Sequence, residues 1–107
     1  MGSTRRRDGP GSAPDARLLV LHEHDDVGVC VRDARAGSTL VALVHRPRVV
    51  LREDIPAGHK VAIHDIRAGS TVCKYGEPIG RATTAIRRGA HVHVHNLESL
   101  RARVTAR

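Results

Sequence analysis

Asp33-Ala34-Arg35-Ala36-Gly37-Ser38-Thr39-Leu40 recurs further along the chain as Asp65-Ile66-Arg67-Ala68-Gly69-Ser70-Thr71-Val72. Two looser copies accompany it: Asp54-Ile55-Pro56-Ala57-Gly58-His59-Lys60-Val61 and Ala85-Ile86-Arg87-Arg88-Gly89-Ala90-His91-Val92. The shared pattern is an apolar residue, two variable residues, Gly, two variable residues and a second apolar residue. Its physics is that of a turn. Gly supplies a positive φ at little steric cost, and Pro56, with φ already set, fits the first central position of a type I or II turn. The apolar residue before the turn can point inward, and the one after it starts a strand. Short strands punctuated by such turns predict a compact, folded-over all-β domain. The irregular spacing of the copies argues against a solenoid.

Strand-like runs lie on both sides of these turns. Leu18–Leu21, Val27–Val31, Leu40–Val44, Arg48–Leu51, Lys60–Ile63, Thr71–Lys74, Ile79–Thr83 and His91–His95 are the candidates. Phe and Trp are absent and Tyr75 is the one aromatic residue. The core must therefore be built from Val, Ile, Leu and Ala, and the β-branched share favours strands. Tyr75, next to Gly76, is expected to anchor that small core. Residues 1–16 are rich in Gly, Ser, Pro and Arg without apolar periodicity and read as a disordered basic tail. The domain proper is expected over residues 17–97. Residues 98–107 form a basic C-terminal tail, in which the spacing of Leu97, Leu100 and Val104 suits a short helix.

The 107 residues suit one domain, and the net charge of +7 points to an anionic partner. Much of that charge sits at the two ends, where solvated tails explain it equally well. Cys30 and Cys73 are two thiols without CxxC spacing, which fits buried free thiols in a reducing compartment. No run approaches the ~20 apolar residues that span a bilayer, and no apolar run follows the N-terminal arginines as in a signal peptide. The expected location is cytoplasmic. Nucleotide-binding loops and hydrolase triad motifs are absent from the sequence. A single-strand nucleic-acid binder would need aromatic stacking platforms, and Tyr75 alone does not make one.

Three segments together resemble one family. They are Ile55-Pro56-Ala57-Gly58-His59-Lys60-Val61-Ala62, the stretch Tyr75-Gly76-Glu77-Pro78-Ile79-Gly80, and Gly89-Ala90-His91-Val92-His93-Val94-His95-Asn96. Their joint pattern resembles the SAF domain of the altronate and galactarate dehydratase family. His22-Glu23-His24-Asp25-Asp26-Val27 is similar to that family's H-x-x-D-N-V signature, with Asp26 in place of the usual Asn. The resemblance implies a β-clip fold and a small subunit that serves beside a larger lyase subunit carrying most of the active site. Small subunits of this kind also serve sulfolactate sulfo-lyases. Related SAF-like modules resemble parts of sialic acid synthases, antifreeze proteins and pilus assembly proteins. A stand-alone module binding carbohydrate or metal without catalysis is therefore the alternative.

Candidate chemistry follows from the residue types. Dehydrating a hydroxy-acid needs a base for the proton beside the carboxylate and an acid or metal for the departing hydroxyl. Histidine as a residue type titrates near neutral pH, so His22 suits either role, and Asp25 could orient it, bind metal, or simply cap a loop. Lys60 offers a point charge for a substrate carboxylate, completing the catalytic candidates His22, Asp25 and Lys60. His59, Arg81 and Asn96 are substrate-binding candidates, the planar fork of Arg81 suiting a carboxylate. On a strand, His91, His93 and His95 would share one face, with Val92 and Val94 on the other. His93 and His95, next to Asn96, are the expected metal pair, holding a divalent iron, zinc or manganese ion. That metal could equally be held mainly by the partner subunit, and the histidine face could equally be plain polar surface.

Overall fold

The computed structural model describes residues 17–42 and 47–100. The expected N-terminal tail, the end of the Leu40–Val44 strand and the tail from residue 101 lie outside the described residues. Nine short strands make up the described chain: β1 (Arg17–Leu19), β2 (Val27–Cys30), β3 (Thr39–Ala42), β4 (Arg48–Val50), β5 (Lys60–Ala62), β6 (Thr71–Lys74), β7 (Glu77–Ala82), β8 (His91–Val92) and β9 (Leu97–Ser99). They form a six-stranded sheet in the order β4-β3-β1-β2-β5-β8 and a three-stranded sheet in the order β6-β7-β9. Only β1 and β3 pair in parallel. The domain is all-β, as the sequence indicates.

The four copies of the repeat turn out to be two matched pairs. Ala34 and Ile55 exchange both backbone hydrogen bonds, at 2.9 and 2.8 Å, and Ile66 and Ile86 do the same at 2.8 Å. In every copy the glycine N–H donates across the pair at 2.8 Å: Gly37 to Leu51 O, Gly58 to Cys30 O, Gly69 to Ala82 O and Gly89 to Ala62 O. In every copy a turn closes from the residue after the glycine to the carbonyl three residues back, as in Ser38 N to Arg35 O and His59 N to Pro56 O. Pro56 is therefore the first residue of its turn, not the first central one. The central positions belong to Ala57 and to Gly58, whose φ of 85° is that of a type II turn.

Three acidic side chains strengthen these pairs. Asp54 Oδ1 accepts from Ala36 N and Asp33 Oδ1 from Ala57 N, both at 2.8 Å, so the first pair is bridged from both sides. Asp65 Oδ1 accepts from Arg88 N at 2.9 Å. The fourth copy carries Ala85 at the equivalent position, and no reciprocal carboxylate bond forms among the described residues.

Each pair owns a core. Leu18, Val20, Cys30, Leu40, Ala42, Val49, Leu51, Ile55 and Val61 form the first. Val27, Ala62, Ile66, Val72, Ala82, Ile86 and Val92 form the second. The apolar residues before and after each glycine fill these cores, as the repeat implies, and each buried Val, Leu or Ile stabilises by roughly 1.5–3 kcal/mol. β5 stitches the two together, since Val61 enters one core and Ala62 the other. Gly89 lies at this seam. Its carbonyl accepts from Arg52 N at 2.9 Å, and a Cβ added to it would run into the carbonyl of Val50.

Two local expectations are corrected. Tyr75 is not a core anchor. With φ of 55°, it joins Gly76 (φ 79°) as the central pair of the β6–β7 hairpin turn, the doubly positive geometry that matches strand twist. Tyr75 stays half-buried outside both cores. The strand expected over His91–His95 stops at Val92, and Leu97–Ser99 then pairs with Gly80–Ala82 as β9; the helix expected for the tail lies beyond it, mostly outside the described residues. Gly80 permits that close approach, because a Cβ there would meet the carbonyl of Glu98.

Candidate functional site

β5 and β8 pair antiparallel, with Lys60 opposite Val92 and Val61 opposite His91. Extending that register by one step sets His59 opposite His93. Side chains two residues apart, or directly opposite, share a face of a sheet, so His59, His91 and His93 converge. Their rings lie 4.7–5.4 Å apart between centroids. His59 Nδ1 and His91 Nε2 are hydrogen-bonded at 2.8 Å, which requires one ring nitrogen to donate and the other to accept. One nitrogen from each of the three rings lies within 4.8 Å of the other two.

The backbone beneath these rings is fixed by side chains. Asn96 is 6% exposed. Its Oδ1 accepts from His93 N and its Nδ2 donates to His91 O, both at 2.9 Å. Glu53 Oε2 accepts from His91 N at 3.0 Å. Asn96 is thus a brace beneath the histidines. The turn it closes is the reason the strand ends early, since such local side-chain bonds compete with a strand ladder. Burial first, and then the neighbouring His59 and His93, hold His91 below the usual histidine range, with Glu53 opposing. His91 is therefore neutral at neutral pH and able to donate a nitrogen lone pair. Of the expected pair, His93 lies in the close trio with His59 and His91, while His95 is outside it, its ring 5.6 Å from that of His91.

His22 and Asp25 do meet, in a second group. Asp25 is 3% exposed, and its carboxylate accepts from His22 N at 3.2 Å and Gly76 N at 2.8 Å. The acid thus ties its own loop to the β6–β7 turn. His22 Nδ1 accepts from His24 N at 3.1 Å, which leaves the proton of a neutral ring on Nε2, and the ring packs against Gly76. Asp26 accepts from Cys73 N at 2.7 Å and contacts His64 Nε2 at 2.9 Å. The carboxylate that departs from the family pattern therefore has two partners of its own. Cys30 and Cys73 are free. Burial is the main cause that raises both thiols above the usual range.

Lys60 belongs to a third group. It is half-buried in a cleft of about 490 Å³ with Lys74, Ile79 and Leu97. Burial and then the Lys74 charge lower its pKa from 10.5. Two crowded ammonium groups beside apolar wall favour an anion between them. Arg81 stands apart, paired with Glu98 at 3.5 Å on the exposed side of β7. No hydrogen bond, ion pair or ring contact among the described residues joins the histidine trio to the His22–Asp25 group. Sequence reasoning missed Glu53, His64 and Lys74. It did not single them out, because only tertiary pairing brings them to these groups.

The model of the altronate/galactarate dehydratase SAF domain matches residues 16–100. Over 80 residues, 75% of this chain, the sequence is 43% identical to altronate dehydratase of Escherichia coli, of which it covers 16%. It is 38% identical over 81 residues to the galactarate dehydratase of the same organism, covering 14% of that protein. It is 43% identical over 89 residues to (2R)-sulfolactate sulfo-lyase subunit alpha of Chromohalobacter salexigens, spanning 78% of this chain and 95% of that subunit. The chain therefore spans about a sixth of the dehydratases it matches but nearly the whole of the sulfo-lyase subunit. No helix among the described residues is long and apolar enough to cross a membrane.

Proposed function

The chain belongs to the altronate/galactarate dehydratase SAF domain family, and from that premise we propose that it is the small subunit of a two-part lyase acting on a hydroxy-acid or sulfo-acid. The observation that carries this reading is the coverage of its relatives. The same module matches a small part of two long dehydratases and nearly all of a sulfo-lyase alpha subunit. A larger lyase subunit is then the partner, and sugar-acid dehydration of the altronate or galactarate type is the leading reaction.

In this reading Lys60, with Lys74 beside it, receives the substrate carboxylate, which relieves their mutual repulsion. His22 is the acid–base candidate, its Nε2 carrying the proton of the neutral ring. Asp25 orients it by holding the His22 backbone and the hairpin turn together. The histidine-rich edge, with His59, His93 and His95, faces the shared site. A divalent iron, zinc or manganese ion would polarise the departing hydroxyl.

The test is reconstitution. The chain is co-expressed with the large lyase subunit from its own host, and the purified complex is assayed on a panel of sugar acids and sulfo-acids. The expected result is a stable complex whose activity is lost when the small subunit is withheld. In Lys60→Gln, KM should rise at least ~10-fold, the loss of one charge-assisted contact. A large subunit that is fully active alone, or that never retains this chain, would overturn the reading.

A further inference from the structure

Beyond its place in a lyase, we propose that this chain by itself builds a divalent-metal site from His59, His91 and His93, with zinc(II) or another borderline ion as its ligand. The inference stands on geometry and needs no partner subunit.

Three features of the trio point to coordination and not to chance proximity. The first is convergence. Ligand nitrogens in a tetrahedral zinc site lie about 2.0–2.1 Å from the metal, and so about 3.3 Å from each other. His59 Nδ1 and His91 Nε2 already stand 2.8 Å apart, and the third nitrogen is within 4.8 Å. Side-chain rotation alone covers the remaining distance. The second is support from beneath. Asn96 fixes the backbone of both His91 and His93, and Glu53 fixes His91. The two imidazoles are thereby held on one braced turn, so little ordering remains to be supplied on binding. The third is access. His59 and His91 are half-buried and His93 is exposed. An ion would thus have three protein nitrogens on the protein side and room for water or an anionic ligand on the other, the arrangement of an open site rather than a closed structural one.

The remaining histidines of the described chain lack this convergence. His64 is engaged with Asp26, and His22 accepts from His24 N. They serve as internal controls. Binding would exchange the His59–His91 hydrogen bond for two metal bonds, the shared proton moving to the other nitrogen of the ring that carries it.

The test uses the full chain, stripped with chelator and titrated with zinc(II) by calorimetry and with cobalt(II) by visible absorption. The expected result is one ion per chain, the d–d bands of cobalt bound by nitrogen, and a rise in Tm on zinc addition. His93→Ala and His59→Ala should each weaken binding by at least ~10-fold, since even residues that merely orient metal ligands cost 10–100-fold. His24→Ala and His64→Ala should leave the affinity unchanged. Equal affinity in the wild type and in the His59→Ala/His93→Ala double variant would overturn the assignment, as would absence of 1:1 binding. His93 is exposed, so its variant should fold even if a His91 variant does not, and circular dichroism checks that. Metal binding without lyase activity would spare this inference while sinking the proposed function, and the reverse result would do the opposite.

Discussion

The first and third copies of the repeat make the same backbone bonds as the second and fourth, yet they carry different residues after the glycine. Copies one and three continue as Ser38-Thr39 and Ser70-Thr71, while copies two and four continue as His59-Lys60 and Ala90-His91. The strands that follow explain the divergence. Those of copies two and four are β5 and β8, which pair with each other at the seam between the two cores. Those of copies one and three are β3 and β6, which pair within their own halves. The turn is common architecture, and titratable residues accumulate where two turns abut. That seam is where two residues far apart in sequence come within ring contact.

The largest test of this contrast is to place the same substitution in a seam turn and in an outer turn. Gly37 and Gly89 have φ of 89° and 88°. A Cβ at Gly37 meets nothing within 4 Å, whereas one at Gly89 meets Val50 and Arg52. Gly37→Ala should cost about 1–2 kcal/mol, the penalty of a left-handed L-residue. Gly89→Ala adds a clash with backbone that cannot yield, a further ~1–3 kcal/mol. Urea denaturation of both variants measures the gap. Equal losses would mean that the seam is no tighter than the outer turns.

A smaller test concerns the acidic bridges. The first pair of copies is bridged by Asp33 and Asp54, the second by Asp65 alone. Asp33→Ala should cost about 0.5–1.5 kcal/mol, the worth of one such hydrogen bond. Ala85→Asp should regain part of a similar amount by offering an acceptor to Ala68 N. A destabilised Ala85→Asp variant would show that the second pair is not equivalent to the first at this position.

How much of this was legible in the sequence depended on whether a residue's partner was local. Ile55, Ile66, Leu40 and Val72 could be assigned to the core from the repeat alone, because turn chemistry and apolar spacing are properties of a few neighbouring residues. The resemblance located the His22–Asp25 loop and the histidine-rich end, but not their contacts. His59 could not be joined to His91 from the sequence, because their meeting depends on β5–β8 pairing across |i−j| of 32 residues. Alternation alone extends the strand past Val92, but a single buried Asn96 closes the chain into a turn there. Composition alone puts Tyr75, the one aromatic residue, in the core, and the hairpin's need for two positive φ values overrides it.

The smallest expected effect separates the seam histidines from ordinary surface ones by the acid side of the stability curve. His91 is held below its usual 6.5 chiefly by burial, then by His59 and His93, with His95 adding to the effect and Glu53 opposing it. Above pH 6.5 it is neutral in both folded and unfolded chains and contributes nothing to the pH slope. As pH falls below that value the unfolded chain takes up the proton first, so the unfolded state is favoured until the lowered folded value is passed. The stability contributed by a neutral His91 is thus present above 6.5 and lost on acidification. His91→Gln abolishes this titration. In metal-free buffer its urea midpoint should therefore fall less steeply than that of the wild type between about pH 7 and pH 5. Parallel slopes for wild type and His91→Gln would mean that His91 is solvated like a surface residue, and the seam would then be distinguished from the outer turns by packing alone.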